Sequence, residues 1–175
     1  AYLPSNLAEH MFVLGIDPGL TLTGYGVIDA TRKKYRVAAA GVIRTRTDNS
    51  VGSRLTEIYR DLKGLLAEYQ PKEAAIEQVF VNKNRNTAIG VARSSGVALL
   101  ALNEAGIPVS EYSPTAVKMA LCGNGRAEKT QVRRVVAMRM SLDGLPTSAD
   151  AADALAIALC HLQHAPMQRA IGKTR

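Results

Sequence analysis

Met11-Phe12-Val13-Leu14-Gly15-Ile16-Asp17-Pro18-Gly19 is the stretch on which the fold turns. An uncharged run that ends on an aspartate and a Pro-Gly pair reads as a buried strand over residues 12–17 closed by a tight turn. Outward from it, residues 24–29 and 35–43 are two further strands, rich in β-branched and small residues. The links between them are short, so the three strands are expected to form antiparallel hairpins. Residues 53–69 place Leu55, Ile58, Tyr59, Leu62, Leu65, Leu66 and Tyr69 at helical spacing, and Pro71 stops that helix. Residues 73–79 form a fourth strand, 85–103 a long helix ended by Gly106, and 108–112 a short fifth strand. Helices over 115–121, 127–140 and 147–163 follow, and the polar tail from Pro166 is expected to fray. The order βββαβαβααα describes a single α/β domain, a mixed five-stranded sheet flanked by helices, without internal repeats or low-complexity linkers.

The 175-residue length suits one domain with a sizeable core. We read residues 11–165 as that domain, 166–175 as a polar tail, and 1–10 as a disordered or expression-derived leader before a natural start at Met11. No apolar run reaches the ~18 residues of a membrane span, and the N-terminus lacks the charged and apolar regions of a secretory signal. The two cysteines, Cys122 and Cys160, show neither a CxxC nor a zinc spacing. A reducing, cytoplasmic setting with inert thiols is expected. Net charge is +7, from 22 Lys and Arg against 15 Asp and Glu, with a pI near 9.6, which favours a polyanionic partner.

Against that excess, four acids stand in apolar company. Asp17 ends the first strand. Its alternative is turn chemistry in Asp-Pro-Gly, but ligands of α/β sheets gather beyond the carboxyl ends of strands. Glu77 closes Ala74-Ala75-Ile76, where glutamate is depleted; a structural salt bridge is its alternative. Asp150 and Asp153 lie three apart at a helix start and so share a face. Asp150 could simply favour the helix N-terminus, an explanation that covers Asp153 poorly. Two strand ends and a helix start can bring the four together, and such a cluster holds two metal ions ~3.5–4 Å apart across a phosphodiester.

The bases have their own pattern. No acid occurs from Gln78 to Asn103, where Lys83, Arg85 and Arg93 stand. Lys118, Arg126, Lys129, Arg133, Arg134 and Arg139 follow with Glu128 as the one acid among them. A solvated face is one reading and phosphate contact the other. Gly123-Asn124-Gly125-Arg126-Ala127-Glu128-Lys129 is a helix entry whose amides could hold a phosphate. Phe80 either packs in the core or stacks on an unpaired base.

Gly15-Ile16-Asp17-Pro18-Gly19 with Thr23-Gly24-Tyr25-Gly26, then Ile76-Glu77-Gln78-Val79-Phe80, resembles the RuvC Holliday-junction resolvases. So do residues 123–132 and Asp150-Ala151-Ala152-Asp153-Ala154-Leu155-Ala156, in the family's order and spacing. The resemblance spans Met11 to His164. It implies an RNase H-like fold and a homodimeric endonuclease of homologous recombination and DNA repair. Such an enzyme resolves four-way DNA junctions by paired symmetric nicks. Asp17, Glu77, Asp150 and Asp153 would be the catalytic, Mg²⁺-binding acids, with two ions per site and Mn²⁺ as a substitute. Phe80 would sit at the junction crossover and Lys118 and Lys129 near the scissile DNA. Lys83, Arg85, Arg126 and Arg133 are expected as further DNA contacts. The resemblance also implies pairing through the helix after Phe80, whose Ile89, Ala92, Gly96 and Leu99–Leu100 stripe could equally serve the monomer core, and a branch-migration motor as a partner. Some relatives carry a histidine where Asp150 stands, which leaves the metal preference open.

Three other readings compete. Another RNase H-like nuclease, acting on RNA or an RNA–DNA hybrid, would share the acids but is not expected to combine Lys118 with the Gly123–Lys129 element. An actin-like ATPase or sugar kinase shares the first loop but needs a second domain of similar size. A silent junction-binding protein has no need of four acids.

Overall fold

A computed structural model describes residues 3–4, 6–31, 35–79, 85–142 and 148–172, without the side chains of 85, 86 and 165–172. After a 3-10 turn (Leu7–Glu9) the elements run β1 (Phe12–Asp17), β2 (Leu22–Asp29), β3 (Arg36–Arg44), α1 (Val51–Tyr69), β4 (Glu73–Glu77), α2 (Arg85–Glu104), β5 (Val109–Tyr112), α3 (Pro114–Cys122), α4 (Lys129–Met140) and α5 (Ala149–Gly172). The expected element order is the one observed. Most boundaries shift by one or two residues, and two differences bear on the site or on the tail. The fourth strand ends at Glu77, although the Gln78 amide still donates to the Tyr112 carbonyl at 2.8 Å. The last helix was expected to stop at Gln163 and instead continues through Pro166 to Gly172. A proline removes one helical hydrogen bond but need not end the helix, and the residues beyond it include good helix formers.

The five strands form one sheet in the order β3-β2-β1-β4-β5. The three-strand meander is antiparallel, while β4 pairs parallel to β1 and β5 parallel to β4. Side chains alternate across a strand, and the two faces carry separate cores. Phe12, Leu14 and Ile16 of β1 pack with Ile58, Leu62 and Leu66 of α1 and Ala98, Ala101 and Leu102 of α2. Val13 of β1, Ile28 of β2 and Ala75 of β4 pack with Leu155 and Leu159 of α5 and with Val117 and Val132 of α3 and α4. Odd-numbered positions of β1 and β4 therefore face α5. Asp17 and Glu77 are both odd, and strand parity alone puts them on that face.

Helix α5 lies unusually close to the sheet because glycines line its path. A Cβ on Gly15 would come 2.0 Å from the Ala154 carbonyl oxygen, and one on Gly24 would come 2.1 Å from that of Asp150. At these positions the missing side chain lets helix backbone rest on strand backbone. Farther along α5, buried His161 bridges two strands, with Nδ1 3.0 Å from the Tyr112 hydroxyl and Nε2 2.9 Å from Glu73. This network fixes the helix lengthwise against β4 and β5.

On the other face Arg54 of α1, only 8% exposed, points its guanidinium beneath the turn that follows Asp17. Its Nε donates to Thr45 Oγ1 at 3.0 Å and Nη2 to Thr21 Oγ1 at 2.7 Å, while Thr45 Oγ1 donates to the Leu20 carbonyl at 2.6 Å. Within the stretch expected to be a leader, Leu7 packs on the core, and His10 Nδ1 lies 2.7 Å from Asp29 Oδ2 with its ring stacked on Phe12. Among the described residues, no helix is long and apolar enough to cross a membrane.

Candidate active site

Asp17 is the last residue of β1 and Glu77 the last of β4. Their parallel pairing sets Ile16 beside Ile76, so the two carboxylates leave adjacent strand ends side by side. Ser148 starts α5, its Oγ accepting from the Ala151 amide at 3.4 Å. That bond gives the helix its cap without Asp150, whose backbone lies over Gly24, the β2 partner of Asp17. Asp153, one turn on, lies toward the sheet from the same helix, and its charge acts on both Asp17 and Glu77.

Crowding these acids has an electrostatic consequence. Burial, then the charge and hydrogen bond of Glu77, then Asp153 and Asp150, push Asp17 up to about 8. Burial also raises Glu77, although its hydrogen bond with Asp17 pulls it the other way. At neutral pH the pair therefore shares one proton, carried by Asp17 and donated to Glu77.

Cations complete the site. Lys129, at the first position of α4, places Nζ 3.0 Å from Asp153 Oδ2 while its side chain stays 75% exposed. That hydrogen bond, followed by the charge of Asp153, raises the Lys129 ammonium above its ordinary range. Lys118 lines the same crevice, which has a volume of about 150 Å³ and is walled by Asp17, Glu77 and Asp153, and its charge acts on Glu77. The turn leading into α4 follows from its sequence: Gly123 ends α3 in the left-handed region (φ 68°), and the Asn124 side chain accepts from the Arg126 amide at 2.9 Å. Helix α4 starts from Glu128, whose side chain makes no cap bond to the helix amides and whose carbonyl accepts from the Gln131 amide at 3.0 Å.

Among the expected DNA-contacting residues, Arg126 is exposed on this turn and Arg133 is half-buried one turn beyond Lys129. Arg85 opens α2, but its side chain, like Phe80 and Lys83 altogether, lies outside the described residues. On α2, Ile89, Ala92, Gly96 and Leu100 are exposed while Leu99 packs partly on the core. The sequence reading missed Arg54, His161 and the approach glycines as determinants of the site. A charged residue amid the helical stripe of α1 was the available signal for the first, and glycines inside strand patterns for the last.

A donor set made only of carboxylate oxygens, two of them half-buried and sharing a proton, fits a hard divalent cation, which could take the proton's place in offsetting their charge. Among the described residues no three His, Cys, Asp or Glu side chains form a ready metal cage. Mutual repulsion and the Lys129 bond to Asp153 act against a tighter grouping.

The sheet order, the helix laid over its central strands and the acids where they meet define a phosphodiester-cleaving enzyme of the RNase H-like class. The crossover junction endodeoxyribonuclease RuvC family model matches residues 13–161, and the chain belongs to that family. The RuvC of Roseiflexus sp. (strain RS-1) is 44% identical over 162 residues, covering 93% of this chain and 96% of that protein. That of Syntrophomonas wolfei is 48% identical over 152 residues, covering 87% and 88%. The structure of T. thermophilus RuvC in complex with Holliday junction substrate superposes with a TM-score of 0.86 at 36% identity, over 91% of this chain and 97% of that one. The yeast mitochondrial Holliday junction resolvase Ydc2 reaches a TM-score of 0.63 at 14% identity, covering 97% and 85%, a likeness of fold alone.

Proposed function

We propose that this chain resolves four-way DNA junctions by metal-dependent hydrolysis, with Asp17, Glu77, Asp150 and Asp153 holding a pair of divalent cations, Mg²⁺ foremost. The observation that carries the site assignment is the meeting of half-buried, proton-sharing Asp17 and Glu77 with Asp153 under two lysines. Cations held there supply the Lewis acidity that lowers the pKa of water and offsets charge on the phosphodiester. Lys129 and Lys118 attract and orient the phosphate on the acids' flank. Lys129 has two partners in this reading: it neutralises Asp153 in the free protein and meets phosphate in the complex.

The exposed α2 stripe supports a homodimer. Ile89 and Leu100 are 50% and 52% exposed on one helix face, with Ala92 and Gly96 small enough for close approach. An isologous contact across it would place two sites on one junction.

The deciding experiment compares a synthetic mobile four-way junction with an RNA–DNA hybrid, with and without Mg²⁺. Paired symmetric nicks on the junction alone are expected. Preferential cleavage of the hybrid would move the chain to the RNA-processing reading.

Two outcomes test the electrostatics. Below about pH 8 the Asp17–Glu77 proton must leave before cations are held. Mg²⁺ titration near pH 7 should therefore release about one proton, and the release should fade above the Asp17 pKa. Apparent affinity should rise with pH and level off there. Calorimetry in buffers of different ionisation enthalpy reads this directly, and a pH-independent affinity would remove the shared proton. Lys129→Ala should slow cleavage and lower the slope of log K against log salt by about one. An unchanged slope would take Lys129 off the phosphate.

A further inference from the structure

Helix α5 carries Asp150 and Asp153 at its start, and the next seven residues, Ala154-Leu155-Ala156-Ile157-Ala158-Leu159-Cys160, are all apolar in character. Apolar contact is non-directional, so packing alone does little to fix where along the sheet such a helix stops. The glycines beneath it bring the backbones close but offer no side chain to bond. The first side chain after Asp153 to hydrogen-bond with the sheet is His161, which is 4% exposed.

We propose that His161 is a positioning residue of the nuclease, setting the spacing of Asp153 and Glu77 on which cation binding depends. The inference rests on the nuclease reading and deepens it. Glu73 and Glu77 are the first and last residues of β4 and share a face, about 13 Å apart at the rise of a strand. Asp153 and His161 stand about 12 Å apart at the rise of a helix. The two lengths match, and α5 runs back along β4, so a helix pinned at Glu73 delivers Asp153 beside Glu77. A slip of one helical turn would carry Asp153 away by about 5.4 Å. The other partner, Tyr112, pairs with Glu77 across the β4–β5 ladder and precedes Ser113, the cap of the helix that holds Lys118. One imidazole therefore joins the three segments that furnish Asp153, Glu77 and Lys118.

Both ring nitrogens are used. A carboxylate only accepts, so Nε2 carries the hydrogen toward Glu73 at 2.9 Å, and in the neutral ring Nδ1 accepts from the Tyr112 hydroxyl at 3.0 Å. An unmet polar group is costly in the interior, so these two bonds select one placement of α5 over its neighbours. A phenyl ring at position 161 would fill the same space without that selection.

The test uses the full-length protein and a mobile four-way junction. It reads the Mg²⁺ concentration at half-maximal nicking, junction Kd in chelator, and Tm. His161→Phe and Glu73→Leu should each raise the Mg²⁺ midpoint by about 10–100-fold, the loss typical when a group that orients metal ligands is removed, with junction Kd unchanged. Glu73→Gln keeps an oxygen that accepts from Nε2 and should restore a near-normal midpoint. Tyr112→Phe removes one oxygen and one bond, so it should shift the midpoint in the same direction by less, and it decides the matter if His161→Phe does not fold. Leu62→Ala, in the core on the opposite face of the sheet, should lower Tm through lost packing and leave the midpoint alone. An unshifted midpoint in Glu73→Leu and Tyr112→Phe would overturn the proposal. So would a shift in Leu62→Ala as large as theirs, which would make the effect one of stability. Neither result resembles failure of the nuclease reading, in which the unsubstituted protein nicks no junction at all.

Discussion

Asp17→Asn is expected to abolish Mg²⁺-dependent nicking, by roughly three orders of magnitude or more, and to make the metal-free protein more stable. The first loss follows from removing the central carboxylate of the proposed cation site, where metal chemistry supplies several kcal/mol of barrier lowering. The gain in stability follows from the same crowding that makes the site. In the unfolded chain this carboxyl ionises near its ordinary value of 3.8, whereas burial and its acidic neighbours push it up to about 8 in the folded state. The folded state thus binds more protons than the unfolded one between those values. Stability associated with Asp17 is full below about pH 4 and is lost as pH rises through about 8. An asparagine carries no such penalty. At pH 8 it should raise stability by on the order of 1–3 kcal/mol, which is about 2–4 °C in Tm per kcal/mol for a chain of this size. At pH 5 the gain should be smaller. Melting curves in chelator at both pH values, with junction binding and nicking measured alongside, decide the matter. Junction binding should persist, because the acids repel phosphate in the absence of cations. Retained nicking, or a stability gain indifferent to pH, would sink the assignment.

Gly24→Ala should cost activity out of proportion to stability. Gly24 is the β2 partner of Asp17, and a Cβ there would meet the Asp150 carbonyl oxygen at 2.1 Å and its carbon at 2.6 Å, both backbone atoms. Backbone cannot rotate away as a side chain can, so the first turn of α5 must move by roughly an ångström. Overpacking of this kind costs ~1–3 kcal/mol. A misplacement of about 1 Å in catalytic groups costs on the order of a hundredfold in rate. The predicted signature is a folded, junction-binding protein whose rate constant for nicking falls about a hundredfold, with a Tm lowered by only a few degrees. Gly64→Ala, at a helix position with nothing within 4 Å of the added Cβ, is the control. Near-normal nicking by Gly24→Ala would mean that α5 does not need this contact to present Asp150 and Asp153.

Much of this architecture is legible in the chain. The uncharged run before Asp17, the alternating strands after it and the helical stripe ending at Pro71 encode local structure through periodicity and turn chemistry, which need no tertiary context. Asp17, Glu77 and Asp153 stand out for a related reason: carboxylates amid apolar residues are costly, and the cost is visible wherever they sit in the sequence. Asp150 was less distinct, since acids at helix starts are common, and the choice of Ser148 over Thr147 as the residue offered for the cap rests on the hydrogen bond Ser148 makes.

Other features depend on residues far apart in the chain. Gly15 and Gly24 are ordinary strand interruptions until α5, more than a hundred residues later, comes to rest on them. Arg54 reads as one more surface cation of an amphipathic helix until Thr21 and Thr45 close over it. The crevice that brings Lys118 and Lys129 beside Asp17, Glu77 and Asp153 exists because strand ends and helix starts from separate segments of the chain meet there. The sequence by itself determined the elements, their order and the acids, because periodicity and the cost of burying charge act locally. Only the tertiary structure decided how closely those acids stand, which proton they share and what lies on each side of them, because those properties arise from packing between segments that the sequence holds apart.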